Sequence, residues 1–267
     1  MPKVKIPRKS TLIDMTAMCD VAFLLLTFFM LTTKFKTENP ILVDLPTSIS
    51  EIKIPERDLV QVALTYSDVN KKGRVFFSMD GQPRRTVLIN YLMQRQDVPL
   101  KYSAQYDKTS STILLSNNVP PDLKDKVVRE FSLESNVDVS LARLTYWLQI
   151  PAETREQIKS QVEKDGKDVF VKYPDGKTEK FDTGLDTTVT LIEGDKKTSD
   201  LIVLTYWTRI LDRKKAIESG IKGEPSKIAF RGDSKAPYSL FKKVIDALQD
   251  ADELKYYFIT NLEAKPQ

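Results

Sequence analysis

Asp20 is the one residue in this sequence whose position calls for a chemical explanation. It stands at the start of an apolar run in which every residue from Val21 to Leu31 except Thr27 is apolar, and no further charge occurs before Lys34. A carboxylate deep in a bilayer costs about 2.5–3.5 kcal/mol on insertion scales. Asp20 is therefore expected either to carry a proton or to be surrounded by another protein.

Two threonines fall close to Asp20 if the run is helical. Thr16 lies four residues before it, Leu24 four after and Thr27 seven after, so at about 100° per residue all four share one narrow stripe. A small, partly polar stripe among bulky Leu and Phe residues is typical of a face turned towards protein or water. Such a carboxyl group can take up and release protons; the simpler alternative is a polar residue that only holds helices together. Asp14 is interpreted as an interfacial or helix-capping carboxylate.

Residues 11–33 are predicted to form a transmembrane helix. Leu12 to Thr33 would span about 33 Å, enough for a hydrocarbon core of about 30 Å. Residues 1–10 form a basic tail, which favours a cytoplasmic N-terminus and places the remainder on the far side of the membrane. A cleaved signal peptide is the alternative. The lack of an Ala-x-Ala site after Leu31, together with the charged segment Lys34–Lys36, favours an uncleaved anchor.

Composition excludes several function classes. Residues 1–36 hold six basic and two acidic side chains, and the other 231 residues hold 35 of each, so no basic domain for nucleic acid exists. The chain has no histidine, which excludes the usual zinc sites and histidine-based triads, and no cofactor is indicated. No P-loop, G-x-S-x-G or G-x-G-x-x-G motif occurs, and acidic groups such as Asp122, Asp125 and Glu130 are explained more simply by solvated helix faces. The sequence therefore does not indicate an enzyme.

The rest of the chain predicts an α+β fold: the single N-terminal transmembrane helix, an extended linker, and, on the far side of the membrane, an α/β domain with a mixed sheet and an inserted α+β region. The linker, 34–57, is rich in proline, and Ile41–Leu45 within it is strand-like; a passive tether is the alternative. The domain covers 58–265, with 95–225 as the insertion, which we expect to pack on the remainder.

Individual elements can be predicted within this domain. Strands are expected at Leu59–Tyr66, Val75–Met79, Thr112–Ser116 and Val189–Glu193, a hairpin at Asp168–Tyr173 and Lys177–Asp182, and helices at Arg85–Gln94, Pro121–Phe131, Ser140–Ile150 and Ala152–Asp165. Asp200–Ser219 reads as a helix, although Leu201–Trp207 is rich in β-forming residues.

The C-terminal part has the clearest pattern. A strand is expected at Lys227–Arg231, a helix at Pro237–Gln249 with apolar residues at helical spacing, and a strand at Lys255–Thr260, which together predict a β-α-β unit. The tripeptide Leu-Thr-Tyr occurs three times, starting at residues 64, 144 and 204, at unequal spacings that favour coincidence over a duplicated module.

The span resembles that of the ExbD/TolR family of bacterial inner-membrane proteins. The segment Ile13–Val21 is similar to the family motif of an aliphatic residue, a small polar residue, V-T-P, two apolar residues and D-V. Asp20 falls on the family's essential aspartate and Thr16 on its threonine, whereas Ala17 replaces the usual proline. Asp44-Leu45-Pro46 looks like the family's N-L-P element, with Asp for Asn. The resemblance covers about 1–94 and 226–262.

This resemblance implies a proton-driven motor subunit. Two copies would thread their spans through a pentameric channel protein of the ExbB/TolQ type, with Asp20, Thr16 and Thr27 on the proton path. The periplasmic domain, with Asp44, Leu45 and Pro46 as a partner-binding motif, would pass work to a TonB-like or TolA-like protein. A TolR-like role in envelope maintenance and a signal-anchored structural or binding protein without proton coupling remain alternatives.

Overall fold

The computed structural model describes residues 15–32, 43–48, 59–69, 71–185, 190–192, 196–219, 227–250 and 256–262. The chain divides into two compact units, Met1–Glu38 and Asn39–Gln267. The first contains helix α1 (Met15–Thr32). Among the described residues, we found no helix with both the length and the apolar character needed to cross a membrane. Part of the predicted span, residues 11–14 and 33, lies outside the described residues.

The second unit contains the remaining described elements, in which strands and helices are interspersed along the chain. They are β1 (Thr47–Ser48), β2 (Leu59–Ser67), β3 (Lys72–Met79), α2 (Gln82–Gln94), β4 (Ser103–Asp107), β5 (Thr112–Ser116), α3 (Leu123–Leu133), β6 (Asn136–Val137), α4 (Leu141–Trp147), α5 (Ala152–Glu163), β7 (Phe170–Lys172), β8 (Thr178–Lys180), β9 (Thr190–Ile192), β10 (Lys196–Thr198), α6 (Asp200–Ser219), β11 (Lys227–Gly232), α7 (Tyr238–Asp250), β12 (Tyr256–Ile259) and β13 (Asn261–Leu262).

A mixed five-stranded sheet organises this unit, with strand order β12-β11-β2-β3-β6. β2 and β3 form an antiparallel hairpin, whereas β11 runs parallel to both β2 and β12. The strands are rich in Val, Leu, Ile and Phe, and most of their apolar side chains are buried in the core. The strands predicted at Leu59–Tyr66 and Val75–Met79, and the mixed character of the sheet, are confirmed.

The predicted β-α-β unit is also confirmed, as β11-α7-β12. Val244, Ala247 and Leu248 are the buried residues of α7, which recur at helical spacing on one face. Phe241 of the same helix meets Phe230 of β11 edge to face, with ring centroids 5.7 Å apart. Burying this face fixes the helix on the sheet, and sequence periodicity alone was enough to locate it.

The segment predicted as an insertion packs on the remainder, as expected, and shares its sheet. β6 pairs antiparallel with β3, with Phe77 opposite Val137. A second, four-stranded sheet has the order β4-β5-β7-β8. Side chains from both parts, among them Phe77, Leu144 and Phe181, belong to one hydrophobic core. Residues from both parts therefore form one core, and β6 pairs with the edge that β3 would otherwise leave open.

Residues 200–219, for which helix and strand were both considered, form the helix α6. Leu201, Leu204, Thr205 and Thr208 are buried and recur with helical spacing. The hydroxyl of Ser199 accepts a hydrogen bond from the backbone N–H of Ile202 at 3.4 Å, as at a helix N-terminus. Packing of α6 against α2 and α7 therefore outweighs the local β propensity.

The strand predicted at Ile41–Leu45 is wrong for its described part. Residues 43–46 have no regular secondary structure, and the strand begins at Thr47. Pro46 has no N–H to donate to a ladder, which explains why pairing starts after it. The short strand β1 pairs in parallel with β13, outside the five-stranded sheet.

Candidate functional site

Helix α1 carries the predicted proton-binding residues. Thr16, Asp20 and Thr27 all lie within its bounds, so their common stripe follows from helical geometry. Asp20 is exposed, and its side chain forms no hydrogen bond or ion pair with another described residue. The hydroxyl of Thr27 donates to the carbonyl of Leu24 at 2.9 Å. The side chain of Thr16 lies outside the described part.

Asp20 shares α1 with a large apolar surface. Nine large apolar side chains of this helix are more than half exposed: Met18, Val21, Phe23, Leu24, Leu25, Leu26, Phe28, Phe29 and Met30. An exposed apolar surface of this extent marks a helix that is normally covered by protein or lipid.

The second predicted site, Asp44-Leu45-Pro46, is attached to the folded unit. The backbone N–H of Ser234 donates to the carbonyl of Asp44 at 2.8 Å. Ser234 belongs to the turn between β11 and α7, where the carboxylate of Asp233 accepts from the N–H groups of Tyr66, at 3.2 Å, and Lys235, at 2.9 Å. The motif therefore contacts a turn that is itself tied to the central sheet.

The acidic residues noted in the sequence lie on helix α3 or just before it, and both tryptophans stack on other aromatic rings. Asp122 and Asp125 are exposed, whereas Glu130 is half-buried 3.6 Å from Arg155. Trp147 is buried and stacks on Phe181, with centroids 5.0 Å apart. Two further residues, Trp207 and Tyr91, stack at 5.8 Å between α6 and α2.

A buried charge cluster was not found by sequence reasoning. Asp138, which follows β6, is 5% exposed and forms an ion pair with Lys159 of α5. Burial raises the pKa of Asp138 to about 6, against the opposing effect of Lys159. Burial also opposes the charge of Lys159, but Asp138 and Glu156 raise the pKa of its ammonium group above the ordinary value. The sequence offered no signal, because a single Asp between two predicted helices resembles any surface residue.

Replacing Asp138 with asparagine will change how stability depends on pH. The folded-state pKa lies above the ordinary 3.8, so the folded protein holds this proton more tightly than the unfolded chain does. That stabilisation is complete below pH 3.8 and is lost as pH rises through about 6. The free energy of unfolding of wild type relative to Asp138→Asn should therefore fall by about 3 kcal/mol over this range.

Urea denaturation at half-unit steps from pH 3 to pH 7 measures this difference. Asp122→Asn, the same change at an exposed residue, is the matched control, and its curve should run parallel to that of wild type. Parallel curves for Asp138→Asn as well would contradict the assignment of a raised pKa to Asp138.

Comparison with known families bears on both sites. The family model described as "Biopolymer transport protein ExbD/TolR" matches residues 7–145, just over half of the 267-residue chain. The chain belongs to the ExbD/TolR family. No curated protein and no solved structure matched it. ExbD/TolR proteins are generally inner-membrane proteins associated with transport and with ExbB/TolQ and TonB/TolA-type partners, and they are not enzymes.

The extent of the match adds to the sequence analysis. The ExbD/TolR match includes α1 with Asp20, the Asp44-Leu45-Pro46 motif and the β2-β3-α2 region. It continues through residues 95–145, the first part of the predicted insertion, and ends within α4. The β11-α7-β12 unit, which resembled the family's C-terminal part, lies beyond the matched residues.

Proposed function

We propose that this chain is the proton-driven subunit of an energising motor in the bacterial inner membrane. The observation that carries the proposal is the family match over α1, a helix in which an exposed aspartate stands among nine exposed large apolar side chains. A transport-energising role is what the ExbD/TolR family suggests in general. The assignment of the proton-carrying step to Asp20, with Thr16 and Thr27 beside it, is our proposal.

The apolar surface of α1 supports a membrane location for this helix. Residues 11–33 would cross the bilayer with residues 1–10 in the cytoplasm and the folded unit in the periplasm. A carboxylate facing lipid costs about 2.5–3.5 kcal/mol, so Asp20 requires either a proton or a polar enclosure. Enclosure by a partner supplies both water access and a changing environment.

The enclosing partner would be a pentameric channel protein of the ExbB/TolQ type. Two copies of the chain would place their spans in its pore, where Asp20 binds a proton from one side and releases it to the other. Each proton that crosses 100 mV makes about 2.3 kcal/mol available. This amount is sufficient to move one helix interface to the next position.

The work would leave the motor through the periplasmic unit. Asp44-Leu45-Pro46 hydrogen-bonds to the turn beside β11 and leads into β1. A displacement of this motif would therefore move the turn and, through β11, the central sheet. We propose this motif as the partner-linked element that delivers work to a TonB-like protein for outer-membrane transport. A TolA-like partner in envelope maintenance is the alternative.

Purification of the full chain from native membranes tests the proposed assembly. The tagged protein, extracted in a mild detergent, should carry with it a multi-span membrane protein and a second, untagged copy of itself. A variant with Leu24→Arg, which introduces a charge beside Asp20, should lose the multi-span protein. The control Lys242→Arg keeps an exposed charge on α7 and should retain it. Recovery of the chain without a multi-span protein would indicate a plain anchor.

A further inference from the structure

A cavity of about 370 Å³ lies between the β2-β3 hairpin and helix α5. Its walls include three basic and three acidic side chains: Arg74, Lys159, Lys164, Asp138, Glu156 and Glu163. Ligand sites in proteins usually measure about 300–1,000 Å³, so this cavity suits a small molecule. The formal charges of its walls cancel, which disfavours a ligand with a large net charge.

Arg74 supplies the most deeply buried cationic group in this cavity. The residue is 5% exposed, and burial lowers the pKa of its guanidinium group. Its Nε donates to Oδ1 of Asp182 at 3.2 Å, but its two terminal nitrogens have no hydrogen-bond partner among the described residues. Arg74 lines the cavity, and a carboxylate is the acceptor that best matches the free N–H groups of a guanidinium.

The backbone holds Arg74 in place on one side. Gly184 has φ +93°, and a Cβ there would lie 3.0 Å from Cβ of Arg74 and 3.4 Å from its Cγ. The N–H of Gly184 donates to the carbonyl of Asp138 at 2.6 Å. A glycine is needed here because any side chain would push the Arg74 stem away and would strain the backbone.

Glu163 presents the complementary charge. One of its carboxylate oxygens accepts a hydrogen bond from the hydroxyl of Thr183 at 2.7 Å, and the other has no partner among the described residues. The negative charge of Glu163 raises the pKa of Arg74, against the larger effect of burial, yet the two residues form no ion pair. A cation and an anion therefore face one cavity without neutralising each other directly.

We propose that this cavity binds a small zwitterion of the α-amino acid type. Its carboxylate pairs with the terminal nitrogens of Arg74, and its ammonium group pairs with the free oxygen of Glu163. Tyr66 and Phe76 line the same cavity and provide apolar contact for a short side chain. This site uses only the folded unit and does not depend on proton transfer at Asp20.

Calorimetric titration of the detergent-solubilised full chain tests the ligand class. Alanine and alanylalanine serve as probes for a free amino acid and for a short peptide, respectively. N-acetylalanine lacks the ammonium group and alaninamide lacks the carboxylate, so each should bind at least about tenfold more weakly than alanine or alanylalanine, whichever binds better. Absence of saturable binding for both probes, or undiminished binding of N-acetylalanine, would overturn the proposal.

Two substitutions locate the site. Glu163→Gln should weaken binding of the better probe at least about tenfold, whereas Glu153→Gln, at an exposed position on the same helix, should not change it. Arg74→Gln should abolish binding, with circular dichroism used to check the fold. If Arg74→Gln does not fold, the Glu163→Gln titration and the analogue series decide the question. Equal affinity of wild type and Glu163→Gln would rule out this cavity as the binding site.

Discussion

Replacing Asp20 with asparagine is expected to reduce energy-coupled function to the level of a strain that lacks the protein. Asparagine keeps the size and polarity of the side chain but cannot bind and release a proton near neutral pH. If the proton cycle at Asp20 drives movement, no other side chain of α1 can replace it, because Asp20 is the only ionisable carboxylate described in this helix. The amount of protein in the membrane should stay unchanged.

Two cellular assays cover the two versions of the proposed function. Substrate uptake across the outer membrane, with and without a protonophore, reports a TonB-type role, and leakage of periplasmic protein reports a Tol-type role. Asp14→Asn is the matched control, since the same chemical change six residues earlier should leave both readouts near wild type. Asp20→Glu, which preserves titration, should retain partial function.

Survival of full function in Asp20→Asn, at normal protein levels, would refute the role of Asp20 as proton carrier. The family assignment rests on the match over residues 7–145 and would stand. Co-purification of a multi-span partner together with a functional Asp20→Asn variant would indicate that the aspartate only holds the helices together.

Arg155→Ala is expected to cause the largest loss of stability. Arg155 is 2% exposed, and one terminal nitrogen donates to the carbonyls of Leu148, at 3.2 Å, and Ile150, at 2.9 Å. Its other terminal nitrogen pairs with Glu134 and lies 3.6 Å from Glu130. One side chain thus ties α3, the α4–α5 connection and α5 together.

Truncating Arg155 to alanine removes all of these hydrogen bonds and ion pairs together. Breaking a buried ion pair by deleting one partner costs about 3–5 kcal/mol, because the remaining polar groups are left without partners. The half-exposed position of Glu130 and Glu134 allows water to reach them, which favours the lower end of this range. The loss should still exceed that of an exposed arginine several-fold.

Urea denaturation followed by tryptophan fluorescence measures the effect. Trp147, which stacks on Phe181 in the core, reports directly on this region. Arg129→Ala on α3 is the control, since Arg129 is exposed and its removal should change the free energy of unfolding by less than about 0.5 kcal/mol. A loss below about 1 kcal/mol for Arg155→Ala would show that the network contributes little to stability.

Much of the architecture could be predicted because it depends on local patterns. The hairpin of β2 and β3 has β-forming residues on both sides of a polar turn, and α7 has apolar residues at helical spacing. α6 was ambiguous, because seven of its residues combine β propensity with helical spacing. The tripeptide Leu-Thr-Tyr lies in strand β2 at residue 64 but in helices α4 and α6 at residues 144 and 204. Local composition therefore did not decide these segments.

The candidate sites also divide into one that the sequence could predict and others that it could not. Asp20 was identifiable because an ionisable residue within an apolar run is unusual, and this can be recognised from the order of residues along the chain alone. Arg74 and Glu163, by contrast, are 89 positions apart and meet only when α5 packs on the β2-β3 hairpin. Single charged residues carry no sign that they will be buried.

The sequence by itself determined the apolar helix with its aspartate, the family motif around it, four of the five strands of the central sheet and the β-α-β unit. Each of these follows from spacing within about twenty residues. Only the tertiary structure decided that residues 95–225 share a core with the rest, that Asp44 attaches to the turn beside β11, and that Asp138 and Arg155 are buried. These features depend on contacts between segments that are distant in the sequence. The free energies of such contacts cannot be read from a local sequence pattern.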